Sequence, residues 1–400
     1  MTMKKGLMCL SIVAIVVLCT LNVATAATGN CSTTIHNNAW HTGYHIPMAR
    51  DITSNGALNW SSTTEGILTS SAAPNGIVYV GSWDHNVYAL NANTGMKVWS
   101  YTTGDIVLSS PTVANGVVYV GSQDHNVYAL DANTGAKVWS YTTGDIVYSS
   151  PTVANGVVYV GSADHNVYAL SAATGAKVWS YTTGDIVWSS PTVANGVVYV
   201  GSWDHNVYAV SAATGAKVWS YTTGDIVYSS PIVANGVVYI GSNDHNVYAL
   251  SANTGTKVWS YNTGSLVYSS PTVANGVVYI GGGIYDHNVS ALNAATGAKV
   301  WSYTTGSFVS SSPSIANGVV YIGSADHNVY ALSANTGTKV WSYMTGDEVY
   351  SSPAVANGIV YVGSDDHNIY ALNATTGAKI WSYNTGNGVN SSPAVANGIG

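Results

Sequence analysis

Charge is scarce in this sequence. Only 7% of its 400 residues are charged, and Glu65 and Glu348 are its only glutamates. The few acids lie mostly in repeated turns, so the sequence offers no unique pair of carboxylates for acid–base catalysis. The formal charge of −7 becomes 9 − 18 = −9 if Lys4 and Lys5 leave with an N-terminal signal. Such a negative surface excludes a nucleic-acid partner.

Cysteine is almost absent as well. Cys9 and Cys19 lie in the apolar N-terminal segment, and Cys31 is the only other cysteine. A disulfide framework is therefore excluded. Cys31 is left as a free thiol, an intermolecular link or a lipid attachment point.

The N-terminus has the pattern of a secretory signal. Lys4 and Lys5 precede an apolar run that ends in the small residues Ala24-Thr25-Ala26. This predicts a signal peptide at 1–27 and a mature protein without a stable membrane span; a retained anchor is the alternative. We therefore expect a secreted or cell-surface protein. Asn-x-Ser/Thr acceptors for glycosylation fit that location; they occur at Asn30, Asn59, Asn288, Asn373 and Asn390.

An internal repeat dominates the rest of the chain. The stretch GSWDHNVYAL at 81–90 recurs seven more times, once with two extra residues at 281–292. One unit, at 149–187, holds four short β-prone runs separated by Asn-Gly, Asp-His-Asn and Ala-Thr-Gly. Two of these runs are apolar on both faces, as in blades packed face to face. The pattern predicts an all-β, eight-bladed β-propeller of four-stranded antiparallel blades at 57–400; a parallel β-helix is the alternative.

The residues of the predicted turns are explained by the backbone conformations that such turns require. Asn155-Gly156 predicts two residues of positive φ in a tight hairpin, and Gly175 predicts another in the third turn. In Asp164-His165-Asn166 we expect the Asp side chain to bond the backbone ahead and the Asn to adopt the left-handed region.

Complete repeat units begin near residues 67, 107, 147, 187, 227, 267, 309 and 349. Two half-units flank them, an outer strand at 58–66 and an inner strand at 391–398, and the chain stops in mid-repeat. We therefore expect either that the sequence is truncated or that the ring closes with both half-units outside it. The stretch at 28–56 lacks the repeat and is interpreted as a linker.

The segment ALDANTGAKVWSY, Ala129 to Tyr141, resembles the repeat of the pyrroloquinoline-quinone (PQQ) type β-propellers. That family includes quinoprotein alcohol dehydrogenases and the propeller lipoprotein of the outer-membrane assembly machinery. The enzymes hold PQQ with calcium ligands, a catalytic Asp and, in some, a vicinal cysteine pair, and this chain has no Cys-Cys. The resemblance implies that one Trp per repeat docks onto the neighbouring blade: Trp99, Trp139, Trp179, Trp219, Trp259, Trp301, Trp341 and Trp381.

Two positions change from repeat to repeat. The residue before Asp-His-Asn is Trp83, Gln123, Ala163, Trp203, Asn243, Tyr285, Ala325 or Asp365. The residue before Ser-Ser is Thr69, Leu108, Tyr148, Trp188, Tyr228, Tyr268, Ser310, Tyr350 or Asn390. Because turns alternate between the two ends of a meander, both sets should share one face, with the second set around the channel mouth. Neutral drift is the alternative to a binding site.

The aromatic members of these sets are the predicted binding residues, because exposed Trp and Tyr side chains suit sugar rings or a protein partner. They are Trp83, Trp188, Trp203, Tyr148, Tyr228, Tyr268 and Tyr350.

The eight histidines of the Asp-His-Asn turns are interpreted as turn residues; a metal site and a pH switch are the alternatives. They are His85, His125, His165, His205, His245, His287, His327 and His367.

The favoured function is a non-catalytic, exported propeller that binds a surface glycan, an envelope polymer or a protein partner, with no cofactor and no metal. One alternative is a purely structural envelope scaffold. The other is a PQQ- and calcium-dependent quinoprotein dehydrogenase, whose carboxylates would come from Asp347, Glu348, Asp105, Asp145, Asp185 and Asp225.

Overall fold

The computed structural model describes residues 76–396 throughout. Before residue 76 it describes only the backbone of five short strands, Gly29–Asn30, Asn37–Ala39, His45–Pro47, Asp51–Ile52 and Ser70–Ser71. The proposed signal peptide and most of the proposed linker lie outside the described residues. No helix in the described part of the chain is long and apolar enough to cross a membrane.

Eight sheets of four antiparallel strands follow one another around a central channel, which confirms the predicted propeller. We number them blades 1 to 8 and give each blade from its inner to its outer strand.

Blade 1 joins the two ends of this region: Ala394–Ala396, Ile77–Gly81, Asn86–Asn91 and Lys97–Thr102. Blade 2 contains Thr112–Ala114, Val117–Gly121, Asn126–Asp131 and Lys137–Thr142. Blade 3 contains Thr152–Ala154, Val157–Gly161, Asn166–Ser171 and Lys177–Thr182. Blade 4 contains Thr192–Ala194, Val197–Gly201, Asn206–Ser211 and Lys217–Thr222.

Blade 5 contains Ile232–Ala234, Val237–Gly241, Asn246–Ser251 and Lys257–Asn262. Blade 6 contains Thr272–Ala274, Val277–Gly281, Asn288–Asn293 and Lys299–Thr304. Blade 7 contains Ser314–Ala316, Val319–Gly323, Asn328–Ser333 and Lys339–Met344, and its inner strand also pairs with Asp51–Ile52 in parallel. Blade 8 contains Ala354–Ala356, Ile359–Gly363, Asn368–Asn373 and Lys379–Asn384.

The way in which the ring closes differs from the sequence expectation. The C-terminal half-unit is not left over, because Ala394–Ala396 pairs with Ile77–Gly81 as the inner strand of blade 1. The residues expected in that place pair elsewhere, Ser70–Ser71 with Gly29–Asn30. The Ala394–Ala396 strand keeps the apolar sequence AVA, which is fully buried there, whereas the stretch at 70–76 has Pro74 where other repeats have a strand residue.

The docking tryptophans behave as the resemblance implies. The Trp99 indole N–H donates to the Ala132 carbonyl of the next blade at 2.9 Å, and its ring lies against Gly135, where an added Cβ would come within 2.7 Å of it. The series closes at Trp381, which donates to Ala92 of blade 1 at 2.8 Å. Glycine is therefore required in the third turn both for its positive φ and for the close approach of the ring.

A ring of buried serines joins the blades next to their inner strands. In each blade one serine N–H, just before the inner strand, donates to the serine Oγ of the next blade at 2.7–3.0 Å, and Ser392 donates to Ser110 to complete the circle. These serines are buried, so the bonds satisfy backbone donors that water does not reach. The eight members of this serine ring are Ser110, Ser150, Ser190, Ser230, Ser270, Ser312, Ser352 and Ser392.

Candidate site at one face of the channel

The Asp-His-Asn turns and the blade crossovers lie at the same end of the propeller, as predicted. The Val107 N–H of one crossover donates to the Ser82 carbonyl of a turn at 3.2 Å, and the Gln123 N–H donates to the Ile106 carbonyl at 3.0 Å. We call this end the His face.

In six of the eight turns the Asp side chain bonds both its own blade and the preceding one. Asp124 accepts the Asn126 N–H at 3.0 Å, the Tyr128 hydroxyl at 2.7 Å and the Gly104 N–H at 2.6 Å. The first of these is the predicted bond to the backbone ahead. The predicted left-handed Asn is wrong: the histidine adopts positive φ, about 69° at His125, while Asn126 begins the third strand.

Five histidines face the carboxylate of their own crossover. The His165 Nε2 lies 3.7 Å from Asp185 Oδ1, and four other blades repeat this pair within 3.8 Å. In blades 5, 6 and 8 the equivalent crossover residue is Ser265, Ser307 and Asn387, respectively, in place of the Asp. The five His–Asp pairs are half exposed, as expected of surface turn residues. Among residues 76–396 no three His, Cys, Asp or Glu side chains are placed to hold a metal ion.

Six of the seven predicted binding residues lie together on one side of the channel mouth. Tyr148, Trp188, Tyr228 and Tyr268 form a buried cluster with Leu108, and the half-buried Trp83 and Trp203 pack against it. The rings meet edge to face: 4.5 Å separates the centroids of Tyr148 and Trp188, and also those of Trp188 and Trp203. We call this group the aromatic cluster.

The expectation that these aromatic side chains are exposed is wrong for most of them. Trp188 is 7% exposed and Tyr148 2%. They pack on each other because consecutive inner strands converge at the channel, which brings the residue before each Ser-Ser next to its counterparts. Burial also raises the pKa of Tyr148 to about 12, so that its hydroxyl stays neutral. Whether the seven residues bind a ligand stays a prediction.

Tyr350, the seventh predicted residue, lies apart in blade 8. Its ring is 5.8 Å from that of Phe308, and its hydroxyl donates to Glu348 Oε2 through a short hydrogen bond. It is buried like the others.

Acidic side chains surround Tyr350. Asp347 and Glu348 follow each other in the crossover that leads from blade 7 to blade 8, and the Asp365 N–H donates to the Glu348 carbonyl at 3.0 Å. Burial of Asp365, together with the charges of Glu348 and Asp347, raises the pKa of its carboxyl from 3.8 to about 7. The Asp365 Oδ1 atom is buried without a hydrogen-bond partner. We call Asp347, Glu348 and Asp365 the acidic cluster.

Sequence reasoning missed Asp365 and Tyr285 as site residues. Tyr285 is 72% exposed, and its N–H donates to Ser265 Oγ at 2.9 Å. It lies on the two-residue insertion of blade 6, where a Cβ on Gly283 would come within 1.8 Å of the Leu266 carbonyl oxygen. That insertion was the available signal, since every other copy of the turn has the same length.

The described residues do not fit PQQ with calcium. Calcium takes six to eight oxygen ligands, whereas the carboxylates of this face are spread over separate turns apart from the acidic cluster. The mouth of the channel is filled by buried side chains on the side of the aromatic cluster.

The repeat and its docking geometry define a PQQ-type propeller. The family model described as outer membrane protein assembly factor BamB matches residues 49–182, 142–229, 163–307, 267–350 and 344–399. The chain therefore belongs to this family. Among curated proteins, no sequence matches it.

Many solved structures share the fold, and three of them are compared with this chain. BamB from Moraxella catarrhalis is 20% identical with a TM-score of 0.62, over 85% of this chain and 97% of that one. The computationally designed Ika8 protein is 16% identical with a TM-score of 0.67, over 84% and 98%. A quinohemoprotein alcohol dehydrogenase from Pseudomonas putida is 20% identical with a TM-score of 0.62, over 78% and 70%. At these identities the likeness concerns the fold alone.

Proposed function

We propose that this protein is a non-catalytic propeller of the cell envelope that binds a protein partner through its His face. The proposal rests on where the side chains differ from one repeat to the next. The aromatic cluster, the acidic cluster and Tyr285 all lie at the mouth of the channel on that face, while the strands and docking residues repeat from blade to blade. The family description, which names an outer-membrane assembly factor, supports an envelope location and a protein partner.

A protein suits this surface better than a glycan. Sugar rings stack on open aromatic faces, but the cluster rings meet each other edge to face and most are buried. The accessible groups are the half-buried Trp83 and Trp203, the exposed Tyr285 and the carboxylates of Asp347 and Glu348, while Asp365, whose Oδ1 atom is buried, is only partly accessible. Aromatic anchors beside a charged rim are typical of protein interfaces.

The partner segment should carry an apolar side chain next to a basic one. Apolar side chains would contact the half-buried Trp203 of blade 4 and the exposed Tyr285 of blade 6, and a Lys or Arg would pair with Glu348 and the partly buried Asp365. Because the pKa of Asp365 is about 7, its charge is complete only above that pH. Binding should therefore strengthen between pH 6 and pH 8.

The test is site-specific photo-crosslinking in the native envelope. A photoreactive residue at Tyr285 should yield one discrete adduct, and the same residue at Ala136, in an exposed turn at the opposite end, should not. The partner identified in this way is then titrated against purified protein. Glu348→Gln and Asp365→Asn should each weaken binding several-fold at pH 8, whereas Asp131→Asn at the opposite end should not. Equal adducts at both positions, or unchanged affinity in both acidic variants, would overturn the proposal.

The dehydrogenase alternative draws on one observation, the acidic cluster at the channel mouth. It is tested by thermal melting with PQQ and calcium added together, because a ligand that prefers the folded state raises the melting temperature. A rise with both that Asp365→Asn abolishes would replace a protein-binding function with an enzymatic one.

A further inference from the structure

The charges of the propeller are separated between its two ends. The end opposite the His face is formed by the turns between the inner and second strands and between the third and outer strands. The Ala132 N–H of one such turn donates to the Gly116 carbonyl of the other at 2.9 Å, which places both at the same end. We call this end the Lys face.

Every lysine of the described blades lies at the Lys face. Of 11 basic residues, Lys4, Lys5 and Arg50 precede residue 76, which leaves 11 − 3 = 8 lysines, one at the start of each outer strand. They are Lys97, Lys137, Lys177, Lys217, Lys257, Lys299, Lys339 and Lys379.

The acids lie at the other end. Of 18 acidic residues, Asp51 and Glu65 precede residue 76, and Asp131 is the only one of the other 16 at the Lys face. The His face therefore carries 15 carboxyl groups and the Lys face 8 lysines against one.

The eight lysines lie at one height along the propeller axis. Lys97 is paired with Leu90 of the third strand, and every other blade repeats this register at the equivalent position. The following residue, Val98 in blade 1, is the extra residue of a β-bulge, so that Lys97 and Val98 are both exposed. Within residues 76–396, no lysine side chain is paired with a carboxylate.

The two ends are far enough apart to act independently. A six-residue strand at about 3.3 Å per residue spans roughly 20 Å, whereas the Debye length at physiological ionic strength is about 8 Å. A surface that approaches the Lys face therefore meets a local charge of 8 − 1 = +7, although the whole chain is negative.

We propose that the Lys face binds the surface of a lipid bilayer that contains anionic phospholipids. A circle of charges at one height matches a flat charged surface, because all eight lysines can contact it together. A single anionic polymer strand would reach only a few of them at once. In this orientation the propeller axis stands perpendicular to the membrane and the His face points away from it.

The test is sedimentation of the purified exported protein with vesicles. We expect binding to vesicles of 30% phosphatidylglycerol in phosphatidylcholine at 50 mM NaCl, and at least tenfold weaker binding at 300 mM NaCl. The readout is the difference between binding to these vesicles and binding to vesicles of phosphatidylcholine alone. An apolar N-terminal segment would contribute equally to both. Each lysine near an anionic surface changes affinity about fivefold, so the triple variant Lys137→Gln, Lys217→Gln, Lys299→Gln should bind about a hundredfold more weakly.

The matched control makes the same change of net charge at the other end. The triple variant Gln123→Glu, Ser307→Asp, Asn387→Asp also adds three negative charges, and it should bind vesicles like the unmodified protein. Equal losses in both triple variants would mean that only net charge matters and would overturn the proposal. Unchanged binding after lysine replacement would also overturn the proposal. Self-association of the lysine variant, together with no vesicle binding by the unmodified protein, would overturn it as well and would assign the lysines to protection of the outer strand edges.

Discussion

Replacing Asp365 with Asn should stabilise the folded protein at neutral and alkaline pH. The pKa of this carboxyl is raised from 3.8 to about 7, so the folded protein holds a proton between those values that the unfolded chain has released. The free energy of unfolding must therefore fall as the pH rises from about 4 to about 7. Three pKa units at 1.36 kcal/mol each put the upper limit of this loss at about 4 kcal/mol. Asn keeps the shape of the side chain and removes the charge, so Asp365→Asn should recover most of the loss at pH 8.

The measurement is urea unfolding at pH 5 and pH 8 for the unmodified protein and the variant. At pH 5 the variant should be more stable by only about 1–2 kcal/mol, because the unfolded chain has already released this proton while folded Asp365 still holds it. At pH 8 the variant should be more stable by about 2–4 kcal/mol. Asp131→Asn is the control with the opposite sign: a hydrogen bond from the Thr134 hydroxyl lowers the pKa of Asp131, so its loss should destabilise at pH 8. The reasoning is refuted if Asp365→Asn changes stability equally at both pH values.

Three further changes test the architecture by chemical denaturation. Trp219→Phe should lower the free energy of unfolding by about 1 kcal/mol, because the Ala252 carbonyl keeps its bond from the Tyr199 hydroxyl at 3.1 Å. The double variant with Tyr199→Phe should lose more stability than the two single variants added together, and strict additivity would contradict this account. Ser392→Ala removes the acceptor of the buried Ser352 N–H and should cost about 1–3 kcal/mol, the same as Ser190→Ala; a much smaller effect at Ser392 would mean that the ring closes loosely. His165→Gly should stabilise by about 0.5–1 kcal/mol, because His165 has a φ of 70° that Gly adopts freely; a loss of stability would show that its pair with Asp185 outweighs the strain.

The fold could be predicted because its local rules are repeated eight times. Asn155 and Gly156 have φ of 49° and 74°, as the Asn-Gly pair required, and the Trp of each repeat reaches the neighbouring blade. Ring closure could not be predicted by counting units. Counting leaves two candidates for the inner strand of blade 1, the stretch at 70–76 and Ala394–Ala396; Pro74 is the one sequence signal against the first, and tertiary pairing selects the second.

The site was only partly predictable. Alternation of turns correctly brought Trp188, Trp203 and Tyr228 to one face, but nothing in the order of residues gives the radius of the channel. That radius decides whether neighbouring aromatic rings face solvent or each other. The raised pKa of Asp365 likewise depends first on the burial of its carboxyl and then on how close Glu348 lies, neither of which a repeat alignment within the chain contains.

The serine ring changes how such a molecule can come apart. In an open stack of repeats, an end unit is released when one interface breaks, and the ends fray first. Here Ser392 bonds Ser110 as every other member bonds its neighbour, so no blade is an end unit and the release of any blade requires two interfaces to break at once. A closed circle of such links has no free end unit from which to unravel, and its blades should exchange their amide protons together.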